Sequence, residues 1–268
     1  MSFSGSTIII TGASSGIGES LAKKLGSAGT NIVLAARTLE KLEQICEDIQ
    51  GNGGSACAVS TDITKKDDCK NLVHRTVNNF GGIDMLILNA GISMWAPFEE
   101  IKDVSFFKDI MDINYMGSVH CVHAALPELK KSTGKVVAIT TAQAIMGFPH
   151  HAGYSAAKHA LHGFLETLDI ELEGSVEFMN AYLGWIKGTN LRRNAFSADG
   201  EKIGGAHQSH NHHAIELERC TDSIIKAIQS GKKKIYIPGK LRLISFLNVF
   251  ARKWLHKKML NAVRNQNS

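Results

Sequence analysis

Residues 7–18 read Thr7-Ile8-Ile9-Ile10-Thr11-Gly12-Ala13-Ser14-Ser15-Gly16-Ile17-Gly18, an apolar β-branched run followed at once by a glycine-rich turn. β-Branched side chains favour a strand, and glycines after it let the backbone approach a ligand closely. Helical periodicity begins at the end of the turn, where the first amides of a helix favour the negative charge of a pyrophosphate. A glycine pattern alone would be weak evidence, but between a strand and a helix it predicts nucleotide binding.

Short apolar runs alternate with longer segments of helical periodicity along the rest of the chain. The strand-like runs are 6–11, 30–36, 55–60, 84–88, 135–141, 175–182 and 233–237. The helical segments include 17–28, 39–50, 65–79, 104–130 and 155–173. This alternation predicts an α/β fold, a doubly wound parallel sheet with helices on both faces and with its ligand-binding loops along one edge.

Two segments depart from this alternation and define the predicted organisation. Residues 190–216 have neither strand nor helix periodicity, and we interpret them as a substrate loop within a catalytic domain that covers residues 1–239. Residues 240–268 are interpreted as a C-terminal helical extension of that domain.

The C-terminal extension is basic and amphipathic. From Ser223 onward the chain has 11 Lys and Arg residues and no Asp or Glu, whereas the first 222 residues have 19 basic and 25 acidic residues. In helical register one side gathers the apolar residues Leu243, Phe246, Leu247, Phe250 and Trp254. Such a helix can lie on an anionic bilayer as a peripheral contact, or it can pack on the domain and roof the substrate pocket. The two interpretations are compatible, and nucleic acid is not an expected partner.

Composition limits where the protein is expected to work. No run of 18 apolar residues predicts a membrane-spanning helix, and residues 1–6 lack the features of a signal peptide. The five cysteines are scattered and form no Cys-x-x-Cys pair, so we expect a reduced, cytoplasmic protein with at most peripheral membrane contact. Although His207, His210, His212 and His213 crowd one loop, the chemistry expected of this fold needs no metal, and no metal site is predicted.

Tyr154 and Lys158 stand four residues apart, about one helical turn, so their side chains share one face of the predicted helix. A phenol with its ordinary pKa of about 10 is a poor acid–base catalyst near neutrality, whereas a cation beside it favours the phenolate. For an isolated pair, a structural tyrosine and an exposed lysine would be the alternative. Downstream of the glycine-rich turn, the pair indicates a redox enzyme.

The end of the second strand predicts the type of nicotinamide cofactor. An NAD site usually has a carboxylate about twenty residues after the glycine turn, whereas here Arg37 and Thr38 follow the strand and the first acid is Glu40. A guanidinium suits a 2′-phosphate and favours NADP(H), the alternative being a solvated charge at the strand end. Asp62 follows the third strand, where it can accept a hydrogen bond from the adenine amine or cap the next helix.

In this order, the motifs Thr11 to Gly18, Asn89-Ala90-Gly91, Asn114 and Tyr154 to Lys158 resemble those of the short-chain dehydrogenase/reductase family. The likeness covers nearly the whole chain. It implies a single Rossmann-like domain and hydride transfer between NADP(H) and a carbonyl or alcohol. It also implies that Tyr154 donates the proton in reduction, that Lys158 holds the nicotinamide ribose and lowers the tyrosine pKa, and that Asn114 keeps a water in the proton relay.

The resemblance extends these assignments to the whole site. The residues expected at the cofactor are Gly12, Ser14, Ser15, Gly16, Ile17, Gly18, Arg37, Thr38, Asp62, Ile63, Asn89, Ala90, Gly91, Tyr154, Lys158, Gly184, Ile186 and Thr189. The residues expected to be catalytic are Asn114, Thr141, Tyr154 and Lys158. By the same resemblance we expect a homodimer or homotetramer formed through the helices that contain Asn114 and Tyr154.

Two departures from the family pattern bear on activity. Thr141 stands 13 residues before Tyr154, where the family has a serine that orients the substrate carbonyl. Threonine keeps the hydroxyl but restricts χ1, and a structural threonine at the end of a buried strand is the alternative. After the sixth strand the usual Pro-Gly is replaced by Leu183-Gly184, and Thr189 is displaced by one place because Gly188 is inserted.

The segment 189–200 and the basic tail resemble the membrane-associated branch of the family, which includes steroid and keto-lipid reductases. The sequence therefore predicts an NADPH-dependent oxidoreductase that reduces a carbonyl, or oxidises the alcohol, of an apolar small molecule. The alternative is an NADP-binding protein with little turnover that acts as a sensor or a membrane-surface scaffold. The retained Asn114, Tyr154 and Lys158 favour the enzyme, and the changes at Thr141 and after the sixth strand favour the alternative.

Overall fold

The computed structural model describes residues 3–204 and 214–264, and within them the chain forms a seven-stranded parallel sheet. The strands are β1 (Thr7–Thr11), β2 (Asn31–Ala36), β3 (Ser55–Ser60), β4 (Met85–Leu88), β5 (Lys135–Thr141), β6 (Glu177–Leu183) and β7 (Lys234–Ile237). Their order across the sheet is β3-β2-β1-β4-β5-β6-β7. Each strand begins and ends within two residues of its predicted run, so the predicted doubly wound α/β fold is confirmed.

Helices cover both faces of the sheet, as the alternating pattern predicts. In the described residues they are α1 (Gly16–Gly26), α2 (Leu39–Gly51), α3 (Lys66–Phe80), α4 (Phe106–Met111), α5 (Gly117–Ser132), α6 (Ala152–Glu171), α7 (Leu217–Gln229), α8 (Ile244–Phe250) and α9 (Arg252–Arg264). The helical segment predicted over 104–130 is interrupted by the π-helical turn Asp112–Met116 between α4 and α5. A π turn widens the helix by one residue and is frequent at functional sites.

The core has two layers because successive side chains of a strand point to opposite faces of the sheet. Ile8 and Ile10 of β1 belong to one buried cluster, together with Leu21 of α1. Ile9 belongs to the other cluster, together with Leu129 of α5. Strands that are buried on both faces read as continuous apolar runs, which explains the sequence of β1.

The C-terminal extension packs on the segment that follows β5. Ile244 of α8 and Leu255 and Met259 of α9 are buried against Ala142 and Met146. This packing agrees with the interpretation in which the extension packs on the domain. None of the helices in the described ranges combines the length and the apolar character needed to cross a bilayer.

The single apolar side predicted for this extension is divided between buried and exposed residues. The extension forms two helices, the first ending at Phe250 and the second beginning at Arg252. Leu247 packs against the buried cluster, whereas Phe246 and Phe250 of the same helix are exposed.

Candidate active site

The glycine turn after β1 has no room for a side chain at Gly12 or at Gly18. Gly12 has a φ of +64°, and a Cβ at this position would lie 2.8 Å from the Cα of Ala90. A Cβ on Gly18, in the first turn of α1, would lie 2.5 Å from the carbonyl oxygen of Gly12 and 2.6 Å from Nδ2 of Asn89. Glycine is required at both positions because the turn, the helix and the β4 loop meet there.

Hydrogen bonds join this turn to the end of β4, where the order of the strands reverses. The Thr11 hydroxyl donates to the Ile87 carbonyl (3.2 Å) and accepts from the amides of Asn89 (3.0 Å) and Ala90 (3.1 Å). Asn89 Nδ2 donates in return to the carbonyls of Thr11 (3.0 Å) and Gly12 (3.1 Å). In open α/β sheets ligands bind at such a reversal point. Ser14, Ser15, Gly16 and Ile17 continue the turn and are half-buried.

A second group of predicted cofactor residues lies beyond the ends of β2 and β3. Arg37 and Thr38 are exposed, whereas Ile63 is buried. Asp62 Oδ1 accepts hydrogen bonds from the amide (3.1 Å) and the hydroxyl (2.8 Å) of Thr64. Burial favours a higher pKa for Asp62, but these bonds and the Arg37 charge hold the pKa below its usual value. Asp62 therefore closes a turn before α3, and it is not the cap of that helix.

Asn114 lies in the π turn and is buried. Its Nδ2 donates to the carbonyls of Ile92 (2.8 Å) and Ile110 (2.9 Å), and its Oδ1 accepts from the amide of Ile92 (3.3 Å). A Cβ on Gly91 would lie 2.8 Å from Asn114 Oδ1 and 3.6 Å from Lys158 Nζ. The structure thus brings together Gly91, Asn114 and Lys158, which belong to three separate motifs in the sequence.

Tyr154 and Lys158 are buried on the first turns of α6. Lys158 Nζ lies 5.8 Å from the centroid of the Tyr154 ring. Burial raises the pKa of the Tyr154 phenol and lowers the pKa of the Lys158 ammonium to about 8. Burial is the cause of the raised Tyr154 pKa. The lowering of this pKa by Lys158 therefore stays a prediction.

Thr141 ends β5 and caps the short helical turn Ala142–Ala144. Its Oγ1 accepts the amide of Gln143 at 3.3 Å. This bond is the structural role considered for Thr141, and it leaves the hydroxyl proton available to a second acceptor. Beside it, Gln143 is buried and its Oε1 has no hydrogen-bond partner within the described part of the chain.

The segment after β6 returns to the glycine turn. Gly184 lies against Pro238 after β7, and Ile186 pairs with Ile215 in an isolated β-bridge. The inserted Gly188 has a φ of +77°. Thr189, whose Oγ1 donates to the Ile186 carbonyl at 3.3 Å, has its Cβ 3.6 Å from the position of a Cβ on Gly16. Thr189 therefore lies beside the predicted cofactor turn despite the insertion.

A group of indole and imidazole rings that the sequence motifs did not predict lies beside Tyr154. The centroid of the His151 ring lies 6.1 Å from that of Tyr154 and 5.0 Å from that of Trp95. Trp95 also contacts His150 (5.2 Å), and the guanidinium of Arg192 lies 4.6 Å from its centroid. His151 is buried, and burial lowers its pKa to about 4. The histidines for which no metal site is predicted, His207, His210, His212 and His213, lie in 205–213, outside the described residues.

Comparison with known proteins agrees with this arrangement. The short chain dehydrogenase family profile matches residues 6–200. The chain is 39% identical to 11-beta-hydroxysteroid dehydrogenase 1A of Arabidopsis thaliana over 200 residues, which are 74% of this chain and 57% of that protein. It is 32% identical to an 11-beta-hydroxysteroid dehydrogenase of Pinus massoniana over 251 residues, covering 92% of this chain and 70% of the relative. The chain thus spans little more than half the length of the Arabidopsis relative.

A solved structure extends the comparison of folds. A short chain dehydrogenase from Burkholderia cenocepacia, determined in complex with NADP, superposes with a TM-score of 0.79 and 24% identity over 97% of this chain and 99% of that one. At this identity the likeness concerns the fold. Because the family profile covers most of the sequence, the chain belongs to the short chain dehydrogenase family.

Proposed function

We propose that the chain is an NADP(H)-dependent oxidoreductase that reduces a carbonyl, or oxidises the corresponding alcohol, of an apolar small molecule. The observation that carries the proposal is that the buried Asn114 Oδ1 and Lys158 Nζ both approach the exposed Gly91, with Lys158 one helical turn from Tyr154. Burial alone shifts the pKa of Lys158. A buried ammonium without an opposing carboxylate is costly to keep, and such groups cluster at functional sites.

The backbone of the cofactor side fits a dinucleotide. Gly12 and Gly18 have no side chains to block the turn, so the backbone amides at the start of α1 can contact a pyrophosphate. Arg37 is exposed at the end of β2. The pKa of Lys202 is lowered first by the burial of Lys202 and next by the positive charge of Arg37. Two neighbouring cations suit a 2′-phosphate better than a hydroxyl pair, which supports NADP(H). The NADP complex of the Burkholderia neighbour supports the same choice.

The side chains around Tyr154 suit proton transfer to a carbonyl oxygen. When bound, the nicotinamide supplies or accepts the hydride. Tyr154 donates its proton to the oxygen as negative charge develops there, and burial keeps the phenol protonated until that moment. Thr141 donates a hydrogen bond to the same oxygen, since its own oxygen already accepts the Gln143 amide. With a pKa of about 8, Lys158 is mostly charged at neutral pH and stabilises the phenolate that remains.

Turnover by the Tyr154→Phe variant tests the proposal. NADPH consumption is measured with steroid, keto-sphingoid and small aromatic ketones, and NADPH affinity is measured separately. We expect turnover by the wild type, loss of turnover in Tyr154→Phe and nearly unchanged NADPH affinity, because the ring is retained and only the proton donor is removed. Tight NADPH binding without turnover on any ketone would instead favour the alternative, a binding protein that acts as a sensor or scaffold.

We also propose that the extension contacts an anionic bilayer. The faces of α8 and α9 opposite the domain leave exposed 60% of Phe246, 73% of Phe250 and 54% of Trp254. Contiguous exposed apolar residues mark interaction surfaces, and the chain from Ser223 onward has 11 basic and no acidic residues. A surface that is both apolar and basic matches the interface of an anionic membrane.

Vesicle flotation tests this contact. We expect binding to phosphatidylcholine vesicles that contain phosphatidylserine, weaker binding in high salt, and loss of binding when Phe246 and Phe250 are both replaced by Ser. Val104→Ser, at a similarly exposed apolar residue just before α4, is the matched control. Equal behaviour of the two variants would refute the membrane contact. A change in oligomeric state of the Phe246/Phe250 variant without any vesicle binding would identify a second copy of the chain as the partner.

We further propose the homodimer or homotetramer expected of the family, formed through α5 and α6. The exposed Ile170 on α6 supports an interface on this helix. Light scattering after size-exclusion chromatography measures the mass directly, and a monomer at micromolar concentration would contradict the proposal.

A further inference from the structure

The guanidinium of Arg192 is in an unusual environment for a surface loop. It stacks over the indole of Trp95 at 4.6 Å and is half-buried. Its Nε is buried and has no hydrogen-bond partner within residues 3–204 and 214–264. Burial lowers its pKa, and among the described residues no carboxylate opposes that shift. Buried guanidinium groups are usually paired with a carboxylate or carbonyl, so the protein leaves bonding capacity here for another molecule.

The position of Arg192 connects it to the proposed proton donor. Trp95 contacts Arg192 on one side and His151 on another, and the His151 ring lies 6.1 Å from that of Tyr154. His150, which also contacts Trp95, has a φ of +65° and a buried Nδ1 without a partner in the described part of the chain. Residues held in this backbone region cluster at binding sites. The guanidinium and the indole supply only N–H donors, which favours a ligand that presents acceptor oxygens.

A purely structural role for Arg192 explains less. As a strut, it would hold the substrate loop on Trp95 through stacking, a contact that does not require the nitrogens to be unpaired. Asp199 is an acid in the same loop, but it pairs with Lys102 at 2.6 Å. Asp199 thus pairs with an exposed lysine, and no carboxylate of the described residues forms an ion pair with Arg192.

We propose that the substrate has an apolar body with a carboxylate at the end remote from its reacting carbonyl, and that Arg192 binds this carboxylate. The inference rests on the proposed oxidoreductase function and specifies its substrate class. The planar guanidinium matches a carboxylate with two parallel hydrogen bonds, and the rings of Trp95, Phe148 and Trp185 supply apolar contact for the rest of the molecule.

Matched pairs of substrates test the proposal. Each pair is an aryl ketone with a terminal carboxylate on an alkyl chain of varied length and the methyl ester of the same acid, and kcat/KM with NADPH is compared. The variant Arg192→Gln removes the charge and keeps the length. Arg193→Gln makes the same change at the exposed neighbouring residue and is the control. We expect a preference for at least one acid over its ester, reduced about 10- to 100-fold in Arg192→Gln and unchanged in Arg193→Gln.

The outcomes separate this inference from the proposed function. Equal kcat/KM for every acid and ester in the wild type would overturn the inference while the oxidoreductase stands. Equal losses on acid and ester in Arg192→Gln would also overturn it, since a strut affects both substrates alike. If no ketone is reduced, calorimetry with the same acids and the NADPH-loaded protein decides: binding that is lost in Arg192→Gln and kept in Arg193→Gln supports the inference, and absence of binding overturns it.

Discussion

The cofactor side and the substrate side of the site differ in how their polar groups are satisfied. On the cofactor side, the side chains of Thr11, Asn89 and Asn114 form backbone hydrogen bonds of 2.8–3.2 Å. On the substrate side, buried atoms of His150 and Arg192 have no partner within the described residues. The first side is complete in the protein's own bonds, whereas the second retains bonding capacity for a ligand.

This difference predicts opposite responses to mutation. On the cofactor side, where the polar groups are already paired, adding or removing one atom breaks existing contacts. NADPH affinity and the free energy of unfolding should therefore fall together. Where polar atoms are unpaired, substitution removes nothing from the folded chain by itself and should act mainly on ligand selectivity and on pH dependence. Three substitutions can break or sharpen this comparison.

The largest effect is expected for Gly18→Ala. The new methyl group would lie 2.5 Å from the Gly12 carbonyl and 2.6 Å from Asn89 Nδ2, and it would separate α1 from the turn. Overpacking of this kind costs about 1–3 kcal/mol of the free energy of unfolding. NADPH binding should weaken about 100-fold, because the amides at the start of α1 no longer converge on the pyrophosphate.

Gly163→Ala is the matched control in α6, where a Cβ would contact nothing within 4 Å. Removing a helical glycine there should raise the free energy of unfolding by about 0.5–1 kcal/mol and leave NADPH affinity unchanged. Urea unfolding and fluorescence titration with NADPH measure both quantities. A Gly18→Ala variant with wild-type stability and affinity would show that the cofactor side is less closely packed than the structure indicates.

An intermediate effect concerns pH and His151. In the folded chain its pKa is about 4, whereas in an unfolded chain the usual value is about 6.5. As pH falls from 6.5 to 4, the unfolded chain takes up a proton that the folded chain does not. The free energy of unfolding should therefore decrease over this range, by up to about 3 kcal/mol from this residue.

The measurement is the difference in stability between wild type and His151→Gln at several pH values between 4 and 7. We expect the variant to lose part of the decrease at low pH. The same substitution at the exposed His159 of α6 controls for the general effect of removing an imidazole. Parallel pH curves for wild type and His151→Gln would mean that His151 is hydrated in solution, and the contrast between the two sides would be weaker.

The extent to which the sequence predicted the structure also differs between the cofactor side and the substrate side. The strands and the glycine turn were predictable, because apolar periodicity and the position of the glycines mark them. The grouping of Gly91, Asn114 and Lys158 was expected from the resemblance to the family. Local geometry was less predictable. The π turn at Asn114 and the turn closed by Asp62 depend on side-chain hydrogen bonds that periodicity does not report.

The ring cluster beside Tyr154 had no comparable signal. Trp95, His151 and Arg192 come from three loops distant in sequence, and each residue alone is more often a packing or solvated group. Their proximity depends on how these loops fold over the sheet edge, and loops tolerate changes in length and sequence. The adjacent histidines His150 and His151 just before Tyr154 were the available indication, and periodicity does not show that His151 is buried.

The smallest effect is expected for Thr141→Ser, at the boundary between the two sides. Serine keeps the bond to the Gln143 amide and the hydroxyl proton, and it removes only the methyl group that restricts χ1. The value of kcat should stay within about threefold of wild type, a change below 1 kcal/mol in the activation barrier. Thr141→Val has the same shape without the hydroxyl and should lose about 100-fold in kcat, the cost of one hydrogen-bond donor to a developing oxyanion. Equal kcat values for the valine and serine variants would assign the Thr141 hydroxyl to capping the turn after β5, and Tyr154 would then act on the carbonyl alone.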